Sequence, residues 1–136
     1  MNELFTAADV IHCYIREVAI ADGVLIDAGA KAAEASFTIP VALTSTAWAE
    51  AVSWDEKNHG MQDEDGRLRD VLFMASIAIR RSRGRHAEPS DHLPFNLYRV
   101  PNDPDALEPA ELELVAHFGP GDDGEPVITI MLPHED

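Results

Sequence analysis

The sequence has few of the features that mark secreted and membrane proteins. Only one of its 136 residues, Cys13, is a cysteine, so no internal disulfide can form, which fits a reducing cytoplasm. No apolar run reaches the roughly 20 residues of a membrane-spanning helix. The first ten residues, MNELFTAADV, carry acids where a signal peptide carries bases. We therefore expect a cytoplasmic protein that does not cross a membrane.

Basic residues are also scarce, with 10 lysines and arginines against 25 acids and a net charge of −15. Six arginines lie between Arg67 and His86, which leaves net charges of −9 over residues 1–66 and −11 over residues 87–136. So acidic a chain repels nucleic acid and anionic lipid. The charge favours a basic partner, or it serves only to keep the protein soluble.

Motifs that would identify an enzyme are missing as well. There is no C-x-x-C or H-E-x-x-H pattern for a metal ion, and the glycine-rich segment GPGDDGEP is acidic and would repel phosphate. The segment RHAEPSDH offers His86, Glu88, Asp91 and His92 as possible ligands, but Pro89 breaks any helix that would align them. We expect a solvated loop there, and the sequence predicts no metal and no cofactor.

Two other residue pairs are candidates for catalysis by residue type, and structural roles explain both more simply. His12 and Cys13 are adjacent, so on a helix their side chains point about 100° apart, whereas a nucleophile and its base must be within hydrogen-bond reach. Cys13 is expected to be a small buried apolar residue. Asp22 and Asp27 flank GVLI, and paired carboxylates can exchange protons, but turn and capping roles explain them more simply.

The strongest structural signal is a central helix at about residues 67–83. Leu68, Val71, Leu72 and Ile79 recur at helical spacing, and Gly84 is a natural stop. A second apolar face, made of Phe73, Met74 and Ile77, predicts that the helix is covered on most sides. The arginines at its C-terminal end, Arg80, Arg81, Arg83 and Arg85, complement the helix dipole and pair with the protein's own acids, or they form a small basic spot.

Shorter elements surround this helix. Before it we expect a helix over about 7–21, a short extended piece VLID, a short helix in AGAKAAEAS, an extended stretch at Phe37–Ile39, and a helix over about 45–55 capped by Thr44 or Ser45. Trp48 and Trp54 are expected in its buried face. After the central helix, residues 95–100, 111–118 and 127–132 have strand patterns, and GPGDDGEP joins the last two as a hairpin loop.

These elements predict one α+β domain spanning residues 1–136, with N-terminal helices around the central helix and a small C-terminal antiparallel sheet of about three strands.

The acids supply the candidate binding surface. Alternation along the strand places Glu111 and Glu113 on the same side, which is therefore acidic and exposed. The loop at 55–65 and the C-terminal third of the chain carry the other members. The predicted partner-binding residues are Asp55, Glu56, Asp63, Glu64, Asp65, Asp103, Asp105, Glu108, Glu111, Glu113, Asp122, Asp123 and Glu125.

Three segments, ADGVLID (21–27), IPVALT (39–44) and GRLRDVLFMA (66–75), together resemble a family of small uncharacterised proteins carried by plasmids, integrated elements and phages. The resemblance covers roughly residues 1–80. It implies a mobile-element setting and brings no catalytic residues with it. Mobile elements often encode small acidic proteins that block host defence, including anti-CRISPR and anti-restriction proteins. The analogy with those proteins rests on the mobile-element setting and not on residue spacing.

The leading hypothesis is a non-enzymatic interaction protein, monomeric or homodimeric, that acts as a DNA mimic. Its carboxylates would occupy the basic nucleic-acid-binding site of a host defence complex and inhibit it. Two alternatives belong to other classes: a small metal-assisted enzyme that uses histidines and carboxylates, and a homodimeric structural or regulatory protein whose sheet edges pair.

Overall fold

A computed structural model describes residues 16–55, 57–58, 62–83 and 91–135. The helices are α1, described over residues 16–21, α2 (Ala30–Glu34), α3 (Ser45–Ala51) and α4 (Glu64–Arg83). The strands are β1 (Leu25–Asp27), β2 (Val41–Thr44), β3 (His92–Arg99), β4 (Ala110–Pro120) and β5 (Pro126–Met131). The α+β class is confirmed. Among the described residues, no helix is both long and apolar enough to cross a membrane.

The strands form one five-stranded sheet in the order β1-β2-β5-β4-β3. Only β2 and β5 run parallel, with Val41 opposite Ile128, and the other neighbours are antiparallel. The three antiparallel strands predicted from the C-terminal half are present as β3, β4 and β5, but the prediction that the sheet has about three strands was wrong. The N-terminal half adds β1 and β2, of three and four residues. Strand β1 pairs with β2, and β2 is stabilised by pairing with distant β5, which local periodicity does not reveal.

The main core lies between one face of the sheet and α4. Leu43, Ile130 and Leu114 on the sheet and Leu72 and Ala75 on α4 have no exposed surface. Helices α2 and α3 contribute residues to the same cluster. On the opposite face, Arg16 of α1 donates from Nη1 to Thr129 Oγ1 at 2.9 Å, so α1 lies against that side of β5. The predicted N-terminal helix is described only over residues 16–21.

Helix α4 agrees with the predicted central helix, but it begins three residues earlier. Asp63 caps its first turn, because the Oδ1 atom accepts a hydrogen bond from Gly66 N at 2.6 Å. The prediction that α4 is covered on most sides was wrong. Phe73 is 57% exposed, and Met74 and Ile77 are half-buried, because the sheet packs against only one side of the helix.

The remaining predicted elements agree in part. Thr44 Oγ1 accepts from Ala47 N at 3.1 Å and so caps α3, but α3 ends at Ala51, and Trp54 lies beyond it. Trp48 packs against the core. Residues 37–39 form no strand, although Phe37 and Ile39 also pack against the core. Residues 121–125 close the predicted β4–β5 hairpin, where Gly124 has a φ of 82° that favours glycine.

Candidate functional site

The structure separates the predicted partner-binding acids into two groups at opposite ends of β4. The first group we call the acidic end; it comprises the acids that precede or begin α4 and those between β3 and the middle of β4. The second group lies in the β4–β5 hairpin, and the 11 residues of β4 span about 33 Å. Glu56 is outside the described residues. The acidic end contains Asp55, Asp63, Glu64, Asp65, Asp103, Asp105, Glu108, Glu111 and Glu113, and the hairpin contains Asp122, Asp123 and Glu125.

Asn102 joins the two loops of the acidic end. Its Oδ1 atom accepts hydrogen bonds from Asp55 N at 2.9 Å and from the side-chain amide of Asn58. Its Nδ2 atom reaches Ser53 Oγ at 3.5 Å. The loop after α3 and the loop after β3 are thus linked by this side chain, although the bonded residues are 44 or more positions apart in sequence.

Arg67 holds a third segment, the start of α4, against the same loops. Its side chain is almost wholly buried, and Nε donates to Val52 O at 2.9 Å. Its Nη1 atom donates to Gln62 Oε1 at 2.6 Å and to Val100 O at 2.9 Å. The guanidinium carbon lies 4.9 Å from the centre of the Trp54 ring, a cation–π contact. Burial, together with nearby Arg99, lowers the pKa of Arg67 to about 10, so it stays charged at neutral pH.

Arg99 is the second buried cation at this end. Its Nη2 atom donates to Arg67 O at 2.7 Å, and Nη1 lies 3.4 Å from the exposed carboxylate of Asp70. Burial lowers its pKa, and Asp70 opposes that effect. Because both side chains are almost wholly buried, the guanidinium groups are not part of the exposed surface that the acids form.

A cavity of about 420 Å³ borders the two arginines. Arg67 Nη2 and Arg99 Nε have no hydrogen-bond partner in the described part of the chain, which would suit an anion. However, Asp63 and Asp70 line the same cavity. Its two acids offset its two bases, so the lining has no net preference for a negative ligand.

About half of the predicted acids already have a local role. Their carboxylates accept hydrogen bonds from backbone N–H groups: Asp55 from Lys57, Asp63 from Gly66, Glu64 from Trp54, Asp103 from Asp105, Asp122 from Glu17, and Glu125 from Asp123. Most of these bonds order turns or helix starts, and the bond between Glu17 N and Asp122 joins α1 to the hairpin. These six acids therefore contribute to folding whether or not they also bind a partner.

The other six described acids have exposed carboxylates with no hydrogen bond or ion pair to any described residue. They are Asp65, Asp105, Glu108, Glu111, Glu113 and Asp123. All but Asp123 lie at the acidic end. Glu111 and Glu113 share one face of β4, as predicted, opposite Tyr98 and Asn96 of β3. Unpaired carboxylates are thus concentrated at one end of the domain.

Sequence analysis missed three exposed residues at the acidic end. Glu50 on α3 borders a hollow of about 300 Å³ that Glu111 also lines, a proximity that arises only on folding. Tyr98 and Leu107 are both 71% exposed. Tyr98 lies directly across from Glu111, and Leu107 immediately precedes Glu108. A leucine in an acidic, proline-flanked loop was the one sequence signal available for this group.

Three exposed bases of α4 lie at its other end, whereas a fourth, Arg69, lies near its start. Arg80, Arg81 and Arg83 occupy its last turn, about 25 Å along the axis from Glu64. Their position complements the helix dipole, as predicted. None of them forms an ion pair with a described residue, so the expected pairing with the protein's own acids is not found there. Arg85 is outside the described residues. The acids of the first turn of α4 and the arginines of its last turn therefore lie at opposite ends of the helix.

One cluster has the composition of a metal site. The register of β3 and β4 places His92 opposite His117, with ring centres 4.6 Å apart. His92 Nδ1 lies 2.8 Å from one oxygen of Asp91, and His117 Nε2 lies 3.9 Å from the other. The contact with His92 lowers the pKa of Asp91, and burial opposes it weakly. His117 was not among the predicted candidates, since nothing in its local sequence marks it.

Of the remaining candidate catalytic and metal-binding residues, some lie outside the described residues and others have structural roles. His12, Cys13, His86 and Glu88 lie outside the described residues. Asp27 Oδ1 accepts a hydrogen bond from Gly29 N at 3.0 Å, which confirms its turn role. It lies on β1, while the neighbouring Asp22 is exposed in the turn that follows α1.

Comparison with known proteins identifies a family for the whole chain. The model of a family of unknown function, DUF6573, matches residues 1–136. No curated protein and no solved structure matches the chain.

Proposed function

The chain belongs to the DUF6573 family, and we propose that it is a non-enzymatic protein that binds a basic, nucleic-acid-binding protein through its acidic end. One observation carries the proposal. Six of the predicted partner-binding acids have exposed carboxylates without a described partner, and five of these lie at that end, while Arg67 and Arg99 nearby are buried. Among the described residues of the same loops, the exposed base is Lys57, so exposed acids outnumber exposed bases on this surface.

A surface of this kind suits a partner built to hold a nucleic-acid backbone. Such proteins line their binding channels with lysine and arginine to contact phosphates. Glu111 and Glu113 project from the same face of β4, about 7 Å apart along the strand. Their attraction to a basic channel is long-ranged, speeds association and weakens with salt.

Apolar anchors would supply the remainder of the affinity. Charge complementarity raises association rates more than it strengthens a complex, and most binding energy comes from a few central apolar or aromatic side chains. Tyr98 and Leu107 are exposed among the acids and fit this role. The acidic end thus combines steering charges with two candidate anchors.

The proposed setting is the cytoplasm of a host cell, where a mobile element must withstand nucleic-acid-directed defence. The sequence resemblance to proteins carried by plasmids, integrated elements and phages supports this setting. Blocking the nucleic-acid channel of a CRISPR or restriction complex would be the resulting activity. The basis for this finer assignment is the acidity and that resemblance.

The test compares two variants of equal net charge. The first carries Glu108→Gln, Glu111→Gln and Glu113→Gln at the acidic end, and the control carries Asp22→Asn, Glu34→Gln and Asp123→Asn, which are exposed acids elsewhere. Each variant has three fewer negative charges than the unaltered chain, whose net charge is −15. Both are used, beside the unaltered chain, to capture partners from host lysate at low and high salt, with mass spectrometry as the readout.

We expect the unaltered chain and the control to capture the same nucleic-acid-binding protein at low salt and to release it at high salt. The acidic-end variant should lose it. Equal loss in both variants would mean that only total charge matters. No enrichment of a nucleic-acid-binding protein by the unaltered chain at either salt would refute the proposal.

A further inference from the structure

The turn that leads into β3 brings together three side chains that the proposed function does not use. Asp91 and His92 are sequence neighbours, and β4 supplies His117 from the directly opposite position. One ligand atom from each residue lies within 4.8 Å of those from the other two. The cluster is at the far end of β3 from Arg99, and the eight residues of that strand separate it from the acidic end by about 23 Å.

We propose that Asp91, His92 and His117 bind a divalent first-row transition-metal ion such as Zn²⁺, with His92 Nδ1, His117 Nε2 and one oxygen of Asp91 as its ligands. This assignment departs from the sequence prediction of no metal. It is independent of the proposed function, because none of the three residues belongs to the acidic end.

The spacing of the donor atoms suits a small metal ion. Zinc–ligand distances near 2.1 Å in a tetrahedral site place neighbouring ligand atoms about 3.4 Å apart. The two distances from the Asp91 carboxylate, 2.8 Å to His92 Nδ1 and 3.9 Å to His117 Nε2, lie on either side of that value. The Asp91 side chain is 66% exposed, so it can rotate to bring one oxygen towards both rings.

The backbone fixes two of the three ligands in advance. Residues opposite one another on antiparallel strands have Cβ atoms about 5 Å apart, and the Asp91 carbonyl accepts a hydrogen bond from Phe118 N at 2.8 Å. Gly119 leaves space for the His117 ring, since a Cβ at that position would come within 3.1 Å of Cε1. The ligands thus lie on a strand pair and need little ordering on binding.

The donor set also indicates which ions fit. Two imidazole nitrogens and a carboxylate suit Zn²⁺ and the neighbouring transition metals, whereas Mg²⁺ prefers oxygen ligands throughout. Three protein ligands leave a fourth position for water or a partner group. An ion here would join the start of β3 to β4 through side chains.

The experiment titrates the full chain with ZnCl₂ by isothermal calorimetry, with MgCl₂ as the comparison ion. We expect one equivalent of Zn²⁺ and no Mg²⁺ to bind. Asp91→Asn and, separately, His117→Gln should each weaken Zn²⁺ binding by at least about tenfold. Loss of an outer-shell partner alone weakens metal binding by about 10- to 100-fold, and loss of a direct ligand should cost at least as much. His134→Gln removes an exposed histidine outside the cluster and should bind Zn²⁺ as the unaltered chain does.

Imidazole nitrogen NMR signals locate the ion directly. Zn²⁺ should shift the signals of His92 and His117 and leave those of His134 in place. If His117→Gln fails to fold by circular dichroism, Asp91→Asn and the NMR shifts decide the question, because Asp91 is exposed. Absence of Zn²⁺ binding, unweakened binding by a folded variant of Asp91 or His117, or shifts confined to other histidines would overturn the proposal.

Discussion

Arg67 and Arg99 each bind the backbone of the segment that carries the other. Arg67 Nη1 donates to Val100 O at 2.9 Å, and Arg99 Nη2 donates to Arg67 O at 2.7 Å. The first residues of α4 and the end of β3 are therefore linked by two charged donors. The acidic loops begin at these points, so the arginine pair positions the surface that we propose to bind a partner.

Replacing Arg67 should destabilise the protein strongly. Arg67→Met fills much of the same space but leaves Val52 O and Val100 O without the donors they have now. A buried group that loses its partner costs about 1–3 kcal/mol, and two carbonyl groups are affected, so we expect the free energy of unfolding to fall by about 2–6 kcal/mol. Urea denaturation, read by circular dichroism, measures the change.

The matched control is Arg69→Met, on the same turn of α4. The Arg69 side chain is 62% exposed and is 3.8 Å from Glu34, a surface ion pair worth about 0–1 kcal/mol. Its replacement should change the free energy of unfolding by no more than about 0.5 kcal/mol. Equal effects of the two replacements would show that the Arg67 contacts do not determine stability.

Glu135 makes a contribution to the free energy of unfolding that depends on pH. Its carboxylate accepts hydrogen bonds from Thr44 Oγ1 at 2.7 Å, from Leu132 N at 2.8 Å and from Thr46 Oγ1, which join the C-terminal residues to β2 and α3. Burial raises the pKa of Glu135, but these hydrogen bonds outweigh it, and the pKa is lowered from its ordinary value of 4.5.

A lowered carboxylate pKa means that its stabilisation is complete above pH 4.5 and is lost as the pH falls through the folded value. Glu135→Gln should therefore reduce the free energy of unfolding by about 1–2 kcal/mol at pH 7, since charged hydrogen bonds are being replaced by neutral ones. The two proteins should converge in stability as the pH falls below 4.5 and through the lowered folded-state pKa of Glu135. Denaturation at pH 7, 5 and 3.5 tests this, and a gap that persists unchanged at pH 3.5 contradicts it.

The elements that sequence analysis predicted well are those with local causes. Helix α4 has apolar residues at helical spacing, Thr44 is a good N-cap before α3, and β4 and β5 flank a glycine-rich loop. The errors have non-local causes. Strand β2 depends on pairing with β5, whose paired residues are 87 positions away, and the exposure of Phe73 depends on which side of α4 the sheet covers.

The same distinction applies to the sites. Glu111 and Glu113 share a face because strand residues alternate, and that was predictable. The separation of the hairpin acids from the acidic end depends on the length of β4, and the approach of His117 to His92 depends on the β3–β4 register. The burial of Arg67 and Arg99 is likewise tertiary, since nothing adjacent to either arginine identifies the carbonyl groups they bind.

Two substitutions of Asp63 can distinguish the effect of its charge from that of its capping hydrogen bond. Its carboxylate caps α4 through the hydrogen bond from Gly66 N. Asp63→Ala removes the cap and should cost about 1 kcal/mol of stability, whereas Asp63→Asn retains a good capping oxygen and should cost much less. Thermal unfolding of the two variants at equal concentration is the measurement. Similar losses would mean that the charge, through the helix dipole, matters more than the capping bond.

Leu107 should matter for binding and not for folding. Its side chain is 71% exposed, between Asp105 and Glu108, so Leu107→Ser removes little buried surface and should change stability by less than about 0.5 kcal/mol. If the acidic end docks as proposed, the leucine enters the contact and its loss weakens binding by at least about 1 kcal/mol, or roughly fivefold. The affinity of the captured partner for each variant, measured at one salt concentration, gives this number.

Val24 supplies the comparison for Leu107, because it is similarly exposed, at 58%, but precedes β1, away from the acidic loops. Val24→Ser should leave the partner affinity unchanged. The salt dependence gives a second distinction, since Leu107→Ser should reduce affinity equally at all salt concentrations, whereas Glu111→Gln should reduce it mainly at low salt. A Leu107 variant that binds normally while the glutamine variants fail would restrict the interface to its charges and remove the apolar anchor from the proposal.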